Sequence, residues 1–105
     1  MTPGEFRRIA LSLPDAVEGV HMGHADFRVG GKIFATLGYP NDRCGVVMLT
    51  PQDQQLLVRD YPQAFAPAAG SWGASGSTTV TLSKANKRVV AIALEAAWHK
   101  RAPKR

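Results

Sequence analysis

The sequence predicts an α+β domain built on one mainly antiparallel sheet with helices packed on one face, in the order α-β-β-β-β-α-β-α. Three observations carry that prediction. Thr2-Pro3-Gly4-Glu5 and Thr50-Pro51-Gln52-Asp53 each announce a helix start. The stretch between them alternates apolar and polar residues in short runs broken by glycine and proline. From Lys87 onward, apolar residues return at helical spacing. A chain of 105 residues has room for one core, so residues 1–105 are read as a single domain.

The first helix is predicted over Pro3 to Leu13. Thr2 serves as N-cap, Pro3 fits the first turn because no amide hydrogen is needed there, and Glu5 reaches back to an unpaired backbone N–H. Phe6, Ile9, Ala10 and Leu13 form its apolar face, and Pro14-Asp15 ends it. Val17 to Met22 and Ala25 to Val29 read as strands that meet at Gly23, and Gly30-Gly31 leads into a third strand, Lys32 to Leu37.

Parity constrains that last hairpin. A two-residue Gly-Gly turn would set Phe27 opposite Phe34 and pair the apolar side of one strand with the polar side of the next. An odd-length loop with a bulge is therefore expected, aligning Ala25, Phe27 and Val29 with Ile33, Ala35 and Leu37. Phe34 would then lie on the less buried face with Asp26, Arg28 and Thr36.

Pro40-Asn41-Asp42 turns the chain into a fourth strand, Arg43 to Leu49. Thr50 starts a second helix that ends near Asp60, before Pro62. Residues 62–77 lack periodicity and read as the longest loop. Thr78 to Leu82 forms the last strand, with Val80 and Leu82 inward. Ser83 or Asn86 caps a final helix whose Val90, Leu94, Ala97 and Trp98 share one face. Trp72 and Trp98 are read as packing anchors.

Hydrophobic residues at 45% and charged residues at 20% describe a folded chain rather than a disordered one. No apolar run reaches the ~20 residues of a membrane span, and no apolar leader stretch follows Met1. A lone cysteine, Cys44, has no internal disulfide partner, so a cytoplasmic location away from membranes is expected. The net charge of +5 is unevenly spread: residues 1–50 balance, and the surplus belongs to the second half.

The chain contains no phosphate loop, dinucleotide fingerprint or nucleophile elbow, and Gly30-Gly31 opens no helix. Cys44 begins an apolar strand and reads as an inert buried thiol. His21-x-x-His24 beside Asp26 has the residue types of an open metal centre, yet the pair straddles a turn at Gly23 and no second His/Cys pair has ligand spacing. No catalytic residue, metal or cofactor is assigned. The chain is read as a non-catalytic binding protein.

The run His24-Ala25-Asp26-Phe27-Arg28-Val29-Gly30-Gly31-Lys32-Ile33-Phe34-Ala35 resembles the MmcQ/YjbR family. The Leu49-Thr50-Pro51 junction, the Trp72-Gly73 loop and the stretch from Ala97-Trp98 to Ala102-Pro103-Lys104-Arg105 extend the resemblance over nearly the whole chain. It implies a compact sheet with helices on it, likened to secretion-chaperone or frataxin-type folds, and a DNA-binding role through two hairpin wings. The first wing would be the Arg28 to Lys32 hairpin, with Arg43 beside the next turn. This chain has Ser77 after Gly76, where members of the family often carry an aromatic residue.

The candidate DNA contacts are therefore Arg28, Lys32, Arg43, Lys84, Lys87 and Arg88, cations that could follow a phosphate backbone if they form one strip. In the bland alternative they are solvated surface charges, with Arg28 paired to Asp26. The other expected partner is a protein or peptide on an exposed sheet face or edge. A monomer is expected.

Overall fold

The computed structural model describes residues 1–103. Helix α1 (Pro3–Leu11) is followed by strands β1 (Val17–His21), β2 (His24–Val29), β3 (Lys32–Leu37) and β4 (Cys44–Met48). Helix α2 (Pro51–Asp60), strand β5 (Phe65–Pro67), short helix α3 (Gly70–Ala74), strand β6 (Ser77–Thr81) and helix α4 (Lys87–Arg101) complete the chain. All pairings are antiparallel, and the strands lie in the order β1-β2-β3-β4-β6-β5.

Local chemistry sets the helix ends. The Thr2 hydroxyl accepts from the Glu5 amide and the Glu5 carboxylate accepts from the Thr2 amide, closing a reciprocal capping box. Thr50 accepts from the Asp53 amide, and Asn86, rather than Ser83, caps α4 through the Val89 amide. Helix α1 stops at Leu11, short of the predicted Leu13, with Ser12 as its C-cap. Residues 62–77 are not one loop: Phe65–Pro67 pairs with β6, and Gly70–Ala74 forms a single helical turn.

Register divides the sheet into two faces. Phe27, Ala35 and Val47 stand in one row and belong to the core with Phe6, Val90, Ala93 and Leu94 of α1 and α4. The neighbouring row, Gly19-Asp26-Thr36-Val46-Thr79-Ala66, crosses all six strands on the opposite face. Four phenylalanines, Phe6, Phe27, Phe34 and Phe65, are fully buried, each gaining about 1.5–3 kcal/mol from leaving water. Helices α1 and α4 cover the core face, while α2 and α3 sit beside β5 and β6.

The β2–β3 hairpin corrects the expected loop. Its turn is two residues long, with Gly30 and Gly31 both at positive φ (59° and 79°), so Val29 faces Lys32 and Arg28 faces Ile33. The odd residue enters one step later as a bulge: Phe27 pairs with Ala35, and Phe34 is left over. Phe34 and Ala35 are both buried, so the bulge turns Phe34 away from the less buried face predicted for it.

Candidate functional site

The outer face of the sheet carries two features, an ion pair and a cavity. Arg28 Nε donates to Asp26 Oδ1 at 2.8 Å, and its Nη2 donates to Oδ2 at 3.0 Å. Strand geometry makes this possible, because residues two apart point to the same face. The Asp26 carboxylate lies over Gly19 of the neighbouring strand, where a Cβ would come within 2.9 Å of Oδ1. Asp26 is completely buried, and these hydrogen bonds raise the Arg28 pKa above that of a free guanidinium. Arg28 is thus a tethered cation.

The cavity, about 320 Å³, has Thr36, Val46 and Met48 of β3 and β4 as its floor. Met22 in the β1–β2 turn and Tyr39 after β3 stand at one side, and Trp72 of α3 stands at the other. From the β2 column to the β6 column is three strand spacings, about 14 Å. Trp72 is 67% exposed and Met22 83% exposed, so Trp72 is not the packing anchor expected of it. Trp98 is half-buried and donates its indole N–H to the Pro14 carbonyl at 2.8 Å.

The wall that carries Trp72 is positioned from a distance. Helix α3 has no side-chain cap, but the buried Gln54 amide of α2 donates to the carbonyls of Gly73 and Ser77 and to the Thr78 hydroxyl, at 2.9–3.1 Å. No acid, lysine or arginine lines the cavity. Sequence periodicity gave no sign of it, because its walls come from segments far apart in the chain. The exposed Trp72 within a small-residue loop is the one local signal.

The six predicted DNA contacts fall into two groups. Lys32 sits at the β2–β3 turn, with Arg28 four residues before it on the paired strand. Arg43 lies at the other end of the sheet: Gly38 N–H donates to the Cys44 carbonyl, and the Arg43 carbonyl accepts from Leu82. From Lys32 to Gly38 is six strand residues, about 20 Å. Lys84, Lys87 and Arg88 follow Leu82 directly, so the backbone gathers Arg43, Lys84, Lys87 and Arg88 at one end, away from Lys32.

Lys87 is also engaged, its ammonium 2.6 Å from Glu5. Among the described residues Lys32, Arg43, Lys84 and Arg88 make no ion pair. At the hairpin end Pro103 packs on Gly30, where a Cβ would come within 2.7 Å of its Cγ. Lys100 is turned inward, donating to the carbonyls of Leu49 at 2.7 Å and Ser75 at 3.4 Å, and burial, with Arg101 adjacent, lowers its pKa below the ordinary 10.5. Lys104 and Arg105 lie outside the described residues.

Cys44 is a buried free thiol. Among the described residues no three of His, Cys, Asp and Glu converge on one point. The turn between His21 and His24 does not separate them, however: they are register partners across Met22-Gly23.

No helix among the described residues is long and apolar enough to cross a membrane. No curated protein matches the chain at a significant level. A solved structure, that of the Deinococcus radiodurans protein DR2400 with domain DUF419, superposes with a TM-score of 0.75 at 20% identity, covering 92% of this chain and 75% of that one. The likeness shows a shared fold. The family model described as YjbR matches residues 11–100, and the chain belongs to the YjbR family.

Proposed function

We propose that this chain is a non-catalytic binding module that seats an aromatic or aliphatic side chain of a partner polypeptide in the cavity on the outer sheet face. The observation that carries the reading is the cavity's lining, an indole, a phenol, thioethers and two imidazoles around a floor without formal charge. Such walls favour apolar surface and disfavour an ionised group that would lose its water there. The volume lies at the lower end of the roughly 300–1,000 Å³ typical of ligand sites, which suits one large side chain.

The test is a ¹⁵N and methyl NMR titration with capped tripeptides Gly-X-Gly, where X is Phe, Trp, Leu or Gly. The Trp72 indole and the Met22 and Met48 methyls should shift with the first three peptides and not with the last. In Val46→Trp, which fills the floor, those shifts should vanish. Peptides that leave all three signals unmoved overturn the reading.

One observation favours a second reading, contact with duplex DNA. Arg43, Lys84, Lys87 and Arg88 share one end of the sheet with the N-terminus of α4, whose dipole is positive there. Such a cluster would follow phosphates with a steep salt dependence and little sequence preference. Fluorescence anisotropy with a duplex at low and high salt tests it. Weaker binding in Lys84→Ala/Arg88→Ala than in Lys32→Ala supports this end, and no binding at low salt removes the reading.

A further inference from the structure

We propose that His21 and His24, completed by the thioether of Met22, form a copper(I) site at the mouth of the cavity. The proposal stands on the hairpin register and not on the peptide reading, although its three residues also line the cavity. Met22 and Gly23 both have positive φ (52° and 79°), which makes the β1–β2 connection a two-residue turn of the primed type. Residues on either side of such a turn lie directly opposite one another, with Cα atoms about 5.5 Å apart and side chains on the same face. His21 and His24 occupy those positions, and both line the cavity.

The His24 ring meets Tyr39 edge-on, with ring centroids 5.9 Å apart at 75°. Its Nδ1 lies on the side of Gly38, where a Cβ would come within 3.3 Å of it. Among the described residues neither His21 nor His24 takes part in an ion pair, whereas His99 of α4 approaches Glu95 at 3.7 Å.

The donor types select the ion. Calcium and magnesium require several oxygen ligands, and the nearest outer-face acid, Asp26, has both oxygens bound to Arg28. Zinc sites ordinarily need at least three nitrogen, sulfur or carboxylate ligands from the protein, and no such trio converges here. Two imidazoles and a soft thioether remain. Met22 supplies the sulfur from the turn itself, next to His21 and well exposed, in a left-handed conformation in which a methionine is uncommon. Thioether sulfur selects copper(I) over harder divalent ions.

The experiment uses the chain carrying Cys44→Ser, which removes a competing thiol, titrated anaerobically with copper(I) against a chromophoric copper(I) chelator. One equivalent should bind and shift the His21 and His24 ring signals and the Met22 methyl. Affinity should fall in His21→Ala and in His24→Ala by at least the roughly 10–100-fold that losing even an outer-shell partner costs, less in Met22→Leu, and not at all in His99→Ala. Circular dichroism confirms that each variant is folded. Failure to compete with the chelator, or undiminished binding in His21→Ala/His24→Ala, overturns the proposal. Zinc(II) binding as tightly through the same two histidines overturns the choice of ion.

Discussion

Asp26 and Arg28 clasp each other through two hydrogen bonds on the face of the sheet that α1 and α4 leave open. The pair is asymmetric, since the carboxylate has no exposed surface while the guanidinium side chain is 36% exposed. Removing the arginine strands a buried charge, whereas removing the aspartate leaves a cation that water can still reach. Arg28→Ala should therefore lower the urea midpoint more than Asp26→Ala at neutral pH. Equal losses would mean that Asp26 is hydrated rather than buried. For the same reason, a DNA-binding defect in Arg28→Ala would report on folding as much as on contact, and Lys32→Ala is the cleaner probe of the hairpin.

The contact between Glu5 and Lys87 ties the start of α1 to the start of α4. The Lys87 ammonium, and next the Thr2 amide, hold the Glu5 pKa at about 2, well below its ordinary 4.5. A carboxylate with a depressed folded-state pKa contributes stability that is complete above the unfolded value and lost as pH falls toward the folded one. Wild type should lose stability between about pH 4.5 and 2 through this group, and Glu5→Gln should flatten that part of the curve. Thermal melts of both chains across that window check it. The contact is partly exposed, so added salt should shrink the difference.

Most of the fold was legible because it is set locally. Thr2, Thr50 and Asn86 act as caps on amides three residues on, and the alternation in β2 marks Phe27 and Val29 as its inner face. Parity also required one extra residue in the β2–β3 hairpin. It could not say where that residue goes, because two glycines accept the tight turn at no steric cost and the surplus then passes into the ladder at Phe34. Helix α3 was illegible for a different reason: five residues carry no periodicity, and Gln54, nineteen positions away, holds them. The cavity inherits that obscurity. His21 and His24 do straddle the expected turn, and only its two-residue length, which spacing does not give, sets them opposite one another across the ladder.

Gln54 should accordingly matter more than an ordinary surface glutamine. Its NH₂ group has two hydrogens for three acceptors, two of which are backbone carbonyls with little access to water. Gln54→Leu keeps the volume and removes the donor, so it should cost about 2–3 kcal/mol. The adjacent, exposed Gln55→Leu should stay within about 0.5 kcal/mol. Denaturant titration gives both numbers. Because Gly73 belongs to α3, the Trp72 indole signal should also move in Gln54→Leu and stay in place in Gln55→Leu.

Gly76 and Gly31 separate backbone conformation from backbone crowding. Both have positive φ, 116° and 79° respectively. At Gly31 a methyl group would meet nothing within 4 Å, so Gly31→Ala should cost only the left-handed penalty, about 1–2 kcal/mol. At Gly76 the added Cβ would fall 1.8 Å from the Leu49 carbonyl oxygen, inside the backbone of the segment whose amide bonds the Gly76 carbonyl. Neither strand can retreat, because Met48 and Ser77 are paired beside it. Gly76→Ala should lose more than about 4 kcal/mol, or fail to accumulate as folded protein, the cost expected where strain and overlap combine. Melting the two variants side by side decides the matter: similar losses would show that the approach of Gly76 to Leu49 is looser than the geometry requires.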